Sequence, residues 1–204
     1  MEINVNKLEN GIVMKKEKVI LTDCDGVLLD WVYAFDCWME THGYKKQDDM
    51  CYDVSQAYGI EKAVGKQLVR TFNESAAIGF LPPLRDAVYY IKQLHEKHGF
   101  VFHCITSLSH DRFAQNLRVK NLEKLFGEQM FEEYVFLDCG ADKDEALAKY
   151  EGSECYWIED KVENAQVGKE VGLQSLLIAH ESNAGVTDIP RFSKWKEVYN
   201  HITG

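Results

Sequence analysis

The chain has 204 residues, of which 46% are hydrophobic, so it can bury the core of one domain with a small insertion. Its formal net charge is −10 and its pI is near 5.2. The diffuse negative field of such a protein repels nucleic-acid polymers and anionic membranes, so the composition disfavours both as partners. An anionic small substrate would need a local cation.

The six cysteines form no CxxC pair, and no His/Cys spacing is typical of a zinc site. We therefore expect reduced thiols in a cytoplasmic protein. Residues 1–16 contain no apolar segment of the kind that a secretion signal needs. Since no stretch approaches the roughly 20 apolar residues that span a bilayer, the sequence predicts neither export nor membrane anchoring.

In chain order, short apolar runs rich in branched residues alternate with segments of helical spacing. The runs predict strands at 19–22, 100–105, 134–137, 155–158 and 173–179. The helical spacing predicts helices at 83–97, 111–126, 143–150, 162–171 and 193–202. This alternation predicts an α/β fold, a three-layer α/β/α Rossmann-like arrangement in which helices cover both faces of a parallel sheet.

Residues 30–80 break the alternation, because they contain helix-like segments at 31–41 and 62–73 but no strand-like run. We interpret 30–80 as a small helical cap inserted after the first strand. The catalytic core would then consist of 1–29 and 81–204.

Reactive side chains follow four of the predicted strands, at the end of the sheet where ligands bind in folds of this class. They are Asp23 and Asp25 after the first strand, Thr106 and Ser107 after the second, Lys143 after the third, and Glu159 and Asp160 after the fourth. Each residue alone has an ordinary structural role as a turn residue, a helix cap or a surface charge. Their joint occurrence in this order favours a functional site.

Carboxylates that converge at one edge of a sheet repel each other unless a cation lies among them, and oxygen ligands select a hard ion such as magnesium. The predicted metal ligands are Asp23, Asp25 and Asp160, of which Asp23 and Asp160 would bind through their carboxylates. Glu159 would support them. Another set of residues, Thr106, Ser107 and Lys143, is predicted to bind phosphate oxygens.

These residues also carry a resemblance to a known family. The segments Asp23-Cys24-Asp25-Gly26-Val27, Ile105-Thr106-Ser107, Lys143, and Ile158-Glu159-Asp160 with Asn164 resemble the four motifs of the haloacid dehalogenase (HAD) superfamily. The resemblance spans about 19–179, and its first motif is the specific one.

The HAD resemblance implies a magnesium-dependent phosphatase in which Asp23 attacks phosphorus and forms an aspartyl-phosphate. Asp25 would protonate the leaving oxygen and later activate the water that hydrolyses the intermediate. The second aspartate favours phosphatase or phosphomutase chemistry over dehalogenation, because an oxygen leaving group needs an acid.

Residues 23–31, DCDGVLLDW, are similar to the opening of the deoxyribonucleotidases. This similarity implies a nucleoside monophosphate as substrate, with Trp31 packed against the base. Trp31, Phe35 and Trp38 also have the spacing of a helix that buries one face, so a purely structural role for Trp31 stays open.

The sequence is also compatible with three alternatives to a nucleotidase. They are a HAD phosphatase for a sugar phosphate or another small metabolite, a phosphomutase, and a non-catalytic binding module with the HAD fold. The sequence leaves the oligomeric state open.

Overall fold

The computed structural model describes residues 18–48, 51 and 53–204. The first part of the predicted core, 1–17, and with it the segment predicted to lack a secretion signal, falls outside the described residues. In the described part of the chain, no helix is long and apolar enough to cross a membrane. All six cysteines carry free thiols.

The described residues form six strands and eight α-helices. The strands are β1 (Lys18–Thr22), β2 (Phe100–Ser107), β3 (Phe131–Leu137), β4 (Tyr156–Glu159), β5 (Gln174–Ile178) and β6 (Arg191–Phe192). The helices are α1 (Trp31–Thr41), α2 (Val54–Tyr58), α3 (Lys62–Asn73), α4 (Ala87–His98), α5 (Arg112–Phe126), α6 (Asp144–Ala148), α7 (Val162–Glu170) and α8 (Trp195–Thr203). Short 3₁₀ segments occupy Ala76–Phe80 and Glu181–Asn183.

The six strands form one parallel sheet in the order β3-β2-β1-β4-β5-β6. Successive side chains of a strand point to opposite faces, and Ile20 and Leu21 of β1 accordingly belong to different hydrophobic clusters. Helices α4, α5 and α8 contribute buried residues to the cluster of Ile20, and α6 contributes to that of Leu21. The predicted three-layer α/β/α arrangement is therefore confirmed.

The observed strands differ from the prediction at the two edges of the sheet. Strand β3 begins at Phe131 rather than at 134, because the exposed Glu132 and Glu133 interrupt its apolar pattern. Charged residues of this kind are common on edge strands, where they discourage pairing with other chains. Strand β6 has only two residues and was not predicted from the sequence, since so short a segment carries no periodicity.

Helices α1, α2 and α3 lie between β1 and β2 in the chain, as the prediction of a helical segment requires. Two contacts tie the end of α3 to the loop after β2. Asn73 Nδ2 donates to the Leu108 carbonyl at 3.1 Å, and Ser109 Oγ donates to Glu74 Oε1 at 2.6 Å. These contacts position α3 beside the carboxyl end of β2.

Candidate active site

The loop that follows β1 brings two aspartates to the carboxyl end of the sheet. Asp23 N–H donates to the Ile158 carbonyl at 2.9 Å, which continues the pairing of β1 with β4. The chain then turns back on itself, because the Cys24 carbonyl accepts from the N–H groups of Leu28 at 2.8 Å and Leu29 at 3.0 Å. This turn leaves the side chains of Asp23 and Asp25 at the edge of a cavity.

Three carboxylates meet at this edge of the sheet. Oxygen atoms of Asp23, Glu159 and Asp160 all lie within 4.8 Å of one another. Lys143 Nζ lies 2.8 Å from both Asp23 Oδ1 and Glu159 Oε2. The Lys143 side chain is only 2% exposed and that of Glu159 is fully buried, so these charges interact with little screening by water.

Three carboxylates share the single positive charge of Lys143, and burial and mutual repulsion shift the pKa values of Glu159 and Asp160. Burial, followed by the negative charges of Glu159 and Asp23, raises the pKa of Asp160 well above its usual range. Burial and Asp23 likewise raise the pKa of Glu159, although Lys143 opposes them. Burial disfavours the charged form of Lys143, but the carboxylates of Asp23 and Glu159 outweigh it and raise the lysine pKa.

A divalent cation would relieve this excess of negative charge. The group offers carboxylate oxygens only, which are the ligands that magnesium prefers. The residues present therefore fit a magnesium ion, with one oxygen each from Asp23, Asp160 and Glu159 within reach.

Asp25 forms an ion pair with Arg118, a residue that was not predicted from the sequence. Arg118 of α5 is fully buried, and its Nη1 and Nη2 donate to the two carboxylate oxygens of Asp25 at 2.5 and 3.3 Å. Burial raises the pKa of Asp25, while Arg118 acts to lower it and Asp23 adds to the increase. The sequence offers only a weak signal for Arg118, which is that the apolar residues Ala114 and Leu122 lie four residues to either side and therefore on the same helix face.

Of the three predicted metal ligands, Asp23 and Asp160 thus come together, and Glu159 joins them. The carboxylate of Asp25 faces Arg118 instead of this group. The inclusion of Asp25 among the predicted metal ligands rested on its position after the same strand as Asp23, and that position does not reveal its partner Arg118.

Two further residues that the sequence analysis missed hold the loops of the site. His180 Nε2 lies 2.7 Å from the Gly26 carbonyl, and Asn183 Nδ2 donates to the Asp160 carbonyl at 2.8 Å. Both follow β5, at the same end of the sheet as the predicted site, which is the signal that could have identified them.

Gly26 itself lies against Asp160. A Cβ atom on Gly26 would collide with Asp160 Oδ2, and Gly26 has a φ of +74°, a conformation that side chains rarely adopt. Only glycine therefore allows the loop after β1 to approach Asp160 this closely.

The predicted phosphate-binding residues border the same cavity. Thr106 and Ser107 end β2, and Lys143 directly precedes α6. Ser107 Oγ donates to the Ala141 carbonyl at 2.8 Å, so this hydroxyl ties β2 to the loop that carries Lys143. Thr106 is 1% exposed and lines the cavity.

The cavity has a volume of about 880 Å³ and extends from the sheet edge to α1 and α3. Trp31 borders it, and the Trp31 ring also stacks on Phe35 with their centroids 4.6 Å apart. Trp31 Nε1 donates to Asn73 Oδ1 at 2.9 Å. Trp31 is therefore both part of an aromatic cluster and part of the cavity wall.

Sequence similarity to known proteins is weak, and no protein-family model matches the chain. An uncharacterised 32.4 kDa protein of Enterobacteria phage T4 is 28% identical over 137 residues, which cover 64% of this chain. The match includes 48% of the phage protein, so it spans about half the length of that relative.

Solved structures show a closer likeness in fold than in sequence. A haloacid dehalogenase-like hydrolase from Streptococcus pneumoniae matches with a TM-score of 0.63 and 15% identity, over 93% of this chain and 100% of that one. A HAD-hydrolase from Bacillus subtilis, bound to magnesium, matches with a TM-score of 0.59 and 17% identity, over 93% and 100%.

A third structure, CbbY from Rhodobacter sphaeroides in complex with phosphate, matches with a TM-score of 0.58 and 15% identity, over 89% of this chain and 96% of that one. Matches at this level of identity concern the fold and not the reaction. The chain therefore has the fold of the HAD-superfamily hydrolases.

Proposed function

We propose that this chain is a magnesium-dependent phosphomonoesterase that reacts through a phosphorylated Asp23. The observation that carries the proposal is the convergence of Asp23, Glu159 and Asp160 within 4.8 Å, with Lys143 bound to two of them at the edge of an open cavity. A carboxylate that borders a cavity, beside a buried lysine and a metal-type group, has the chemistry of a nucleophile for phosphoryl transfer.

The residues of this chain would divide the reaction as follows. Asp23 attacks phosphorus and forms the aspartyl-phosphate, while Lys143 and the Thr106 hydroxyl bind the oxygens of the transferring group. Asp25 gives a proton to the leaving oxygen and then accepts one from the attacking water. Magnesium, when bound by Asp23 and Asp160 with Glu159 in support, would neutralise charge on the phosphate oxygens.

The position of Asp25 supports an ester of phosphate over a halogenated substrate. Its carboxylate borders the cavity two residues after Asp23, and 22% of its side chain is exposed. An alkoxide leaving group needs a proton in the transition state, and a positioned acid contributes about 10²–10⁴-fold to such a step. A halide leaving group has no such need.

The cavity supports a substrate that is larger than inorganic phosphate, and we propose a nucleoside monophosphate. Its volume of about 880 Å³ lies within the roughly 300–1,000 Å³ that is typical of small-molecule sites. Trp31 would offer its ring to the base, and residues 30–80 would act as the cap that selects the substrate. The net charge of −10 supports a small substrate over a nucleic-acid polymer.

We further propose that the protein acts in the cytoplasm. The free thiols of all six cysteines support this location, because a reducing compartment preserves them. Labelling the accessible thiols in intact cells and in lysate would test it.

A phosphate-release assay tests the proposed function. Deoxyribonucleotides, ribonucleotides and sugar phosphates are compared with and without magnesium, with Asp23→Asn as the matched inactive variant. We expect magnesium-dependent release that is absent in Asp23→Asn, with the highest kcat/KM for nucleoside monophosphates.

Two outcomes would contradict parts of this proposal. A higher kcat/KM for sugar phosphates would exclude the nucleotide assignment and keep the chemistry. Undiminished release by Asp23→Asn, or no release from any ester, would exclude Asp23 as the nucleophile.

A further inference from the structure

We propose that Arg118 is a positioning residue that orients the Asp25 carboxylate for proton transfer to the leaving group. This inference rests on the proposed phosphomonoesterase function. Arg118 would act only through Asp25, since Arg118 does not border the cavity and cannot reach a substrate there.

The contact between the two side chains fixes the carboxylate in two places. Arg118 Nη1 lies 2.5 Å from Asp25 Oδ1, and Nη2 lies 3.3 Å from Oδ2. A planar guanidinium that donates to both oxygens restrains the plane of a carboxylate, which a single point charge cannot do. The Asp25 side chain nevertheless remains 22% exposed and lines the cavity.

Arg118 is itself held in place. Its position in α5 is flanked by the buried Ala114 and Leu122, one turn away on either side. Arg118 Nη1 also donates to Cys24 Sγ at 2.8 Å, in the residue between the two aspartates. The guanidinium is therefore fixed relative to both the helix and the loop after β1.

Stability alone is a poor explanation for an arginine at this position. The Arg118 Nε atom is buried and has no hydrogen-bond partner among the described residues, which is unfavourable for a charged group. Replacing a buried ion pair by well-packed apolar side chains is often neutral or stabilising. Replacing Arg118 by an apolar residue and Asp25 by a neutral one would thus be expected to keep the stability of the fold at least as high.

The orientation of Asp25 matters because of the bond that breaks. When the bond between phosphorus and the ester oxygen cleaves, that oxygen takes the bond pair and needs the proton of Asp25 to leave as an alcohol. A catalytic group displaced by about 1 Å can lose on the order of 10²-fold in rate. Without Arg118, Asp25 would keep its chemistry but lose its alignment.

The dependence of kcat/KM on the leaving group distinguishes a misaligned Asp25 from a general disruption of the active site. The constant kcat/KM reports the steps up to the loss of the alcohol. It is measured for two substrates, the alkyl ester glycerol 2-phosphate and the aryl ester 4-nitrophenyl phosphate. Since the nitrophenolate leaves without a proton, an aligned acid matters for the alkyl ester alone.

For Arg118→Met we expect kcat/KM to fall about 10–100-fold with the alkyl ester and less than about 3-fold with the aryl ester. In the Asp25→Asn background, Arg118→Met should cause no further loss with the alkyl ester. Arg118→Lys, which retains the charge and one donor group, should recover part of the alkyl activity. The exposed Arg112 at the start of α5 provides the control, and Arg112→Met should leave both substrates unchanged.

The assignment would be overturned if Arg118→Met lowered kcat/KM equally for both esters. It would also be overturned if the double variant with Asp25→Asn lost the product of the two single losses with the alkyl ester. If Arg118→Met does not fold, Arg118→Lys carries the same two comparisons, and an unselective loss there overturns it as well. If the wild-type protein hydrolyses neither ester nor any nucleotide, the proposed function fails, and that result is distinct from an unselective Arg118 variant.

Discussion

Asp23 and Asp25 lie two residues apart in one loop, yet their surroundings are opposite. Asp23 shares the single amino group of Lys143 with Glu159 and lies beside Asp160. Asp25 is the one carboxylate among the described residues that pairs with the guanidinium of Arg118. The first side of the loop holds surplus negative charge that fits a cation, whereas the second side holds a balanced pair that fixes an orientation.

The largest expected effect comes from removing the shared cation. Lys143→Met leaves the carboxylates of Asp23 and Glu159 buried without it, and breaking a buried ion pair in this way costs about 3–5 kcal/mol in the free energy of unfolding. Urea denaturation in the presence of EDTA measures this loss without a compensating metal ion. We also expect kcat/KM to fall by about 10²–10³-fold with magnesium present.

Lys149→Met is the matched control, because Lys149 is exposed just after α6. It should change the free energy of unfolding by less than about 0.5 kcal/mol. If both lysine variants were equally stable, the surplus of negative charge around Asp23 would be refuted.

On the other side of the loop, Asp25→Asn takes the carboxylate from Arg118 and leaves a buried guanidinium with neutral acceptors. We expect the free energy of unfolding to fall by about 2–3 kcal/mol, less than for Lys143→Met, because one hydrogen bond to the new amide can remain. Asp30 caps α1 by accepting from Tyr33 N–H at 3.2 Å, and Asp30→Asn keeps that role. Urea denaturation of the two variants should therefore differ, and a stable Asp25→Asn protein would contradict a balanced pair.

Between the two sides of the site, Gly26→Ala should disturb Asp160 through the collision of the new Cβ atom with Oδ2. Gly43 also has a positive φ, +84°, but a Cβ atom there would meet nothing within 4 Å. Both alanine variants share the backbone strain of about 1 kcal/mol or more, so their difference isolates the collision. We expect weaker magnesium activation for Gly26→Ala only, measured as the magnesium concentration that gives half-maximal activity.

The smallest expected effect concerns the cavity wall. Trp31→Phe keeps a ring against Phe35 but removes the donor to the buried Asn73, at a cost of about 1 kcal/mol. If Trp31 contacts the base, KM for a nucleoside monophosphate should rise a few-fold. Trp38 belongs to the same aromatic cluster but not to the cavity wall, so Trp38→Phe should leave KM unchanged. An equal KM for both variants would leave Trp31 with a structural role alone.

The acidic group could be predicted because topology alone brings its members together. Asp23 and Asp160 each follow a strand, and neighbouring parallel strands end at the same edge of a sheet. Buried runs of branched residues identify such strands well. The convergence of Asp23, Asp160 and Lys143 therefore needed only the order of the elements.

Arg118 could not be predicted in the same way, because it lies in the middle of a helix, where arginine is mostly exposed. Its burial depends on the rotation of α5 against the sheet, which periodicity gives only approximately. The short helix α2 was missed for a related reason, since five residues hold little more than one helical turn. The different charge partners of Asp23 and Asp25, Lys143 and Arg118, likewise became visible only in the structure.

The proposed reaction depends on Asp23 as the nucleophile of this site. The protein is mixed with magnesium and a phosphate ester that it hydrolyses, and the reaction is quenched in acid within milliseconds. Peptide mass spectrometry then locates any phosphoryl group on the protein. We predict a phosphoryl group on the peptide that contains Asp23, with the modification on that carboxylate and absent in Asp23→Asn. Turnover with no phosphorylated peptide, or with the phosphoryl group on another residue, would exclude Asp23 as the nucleophile.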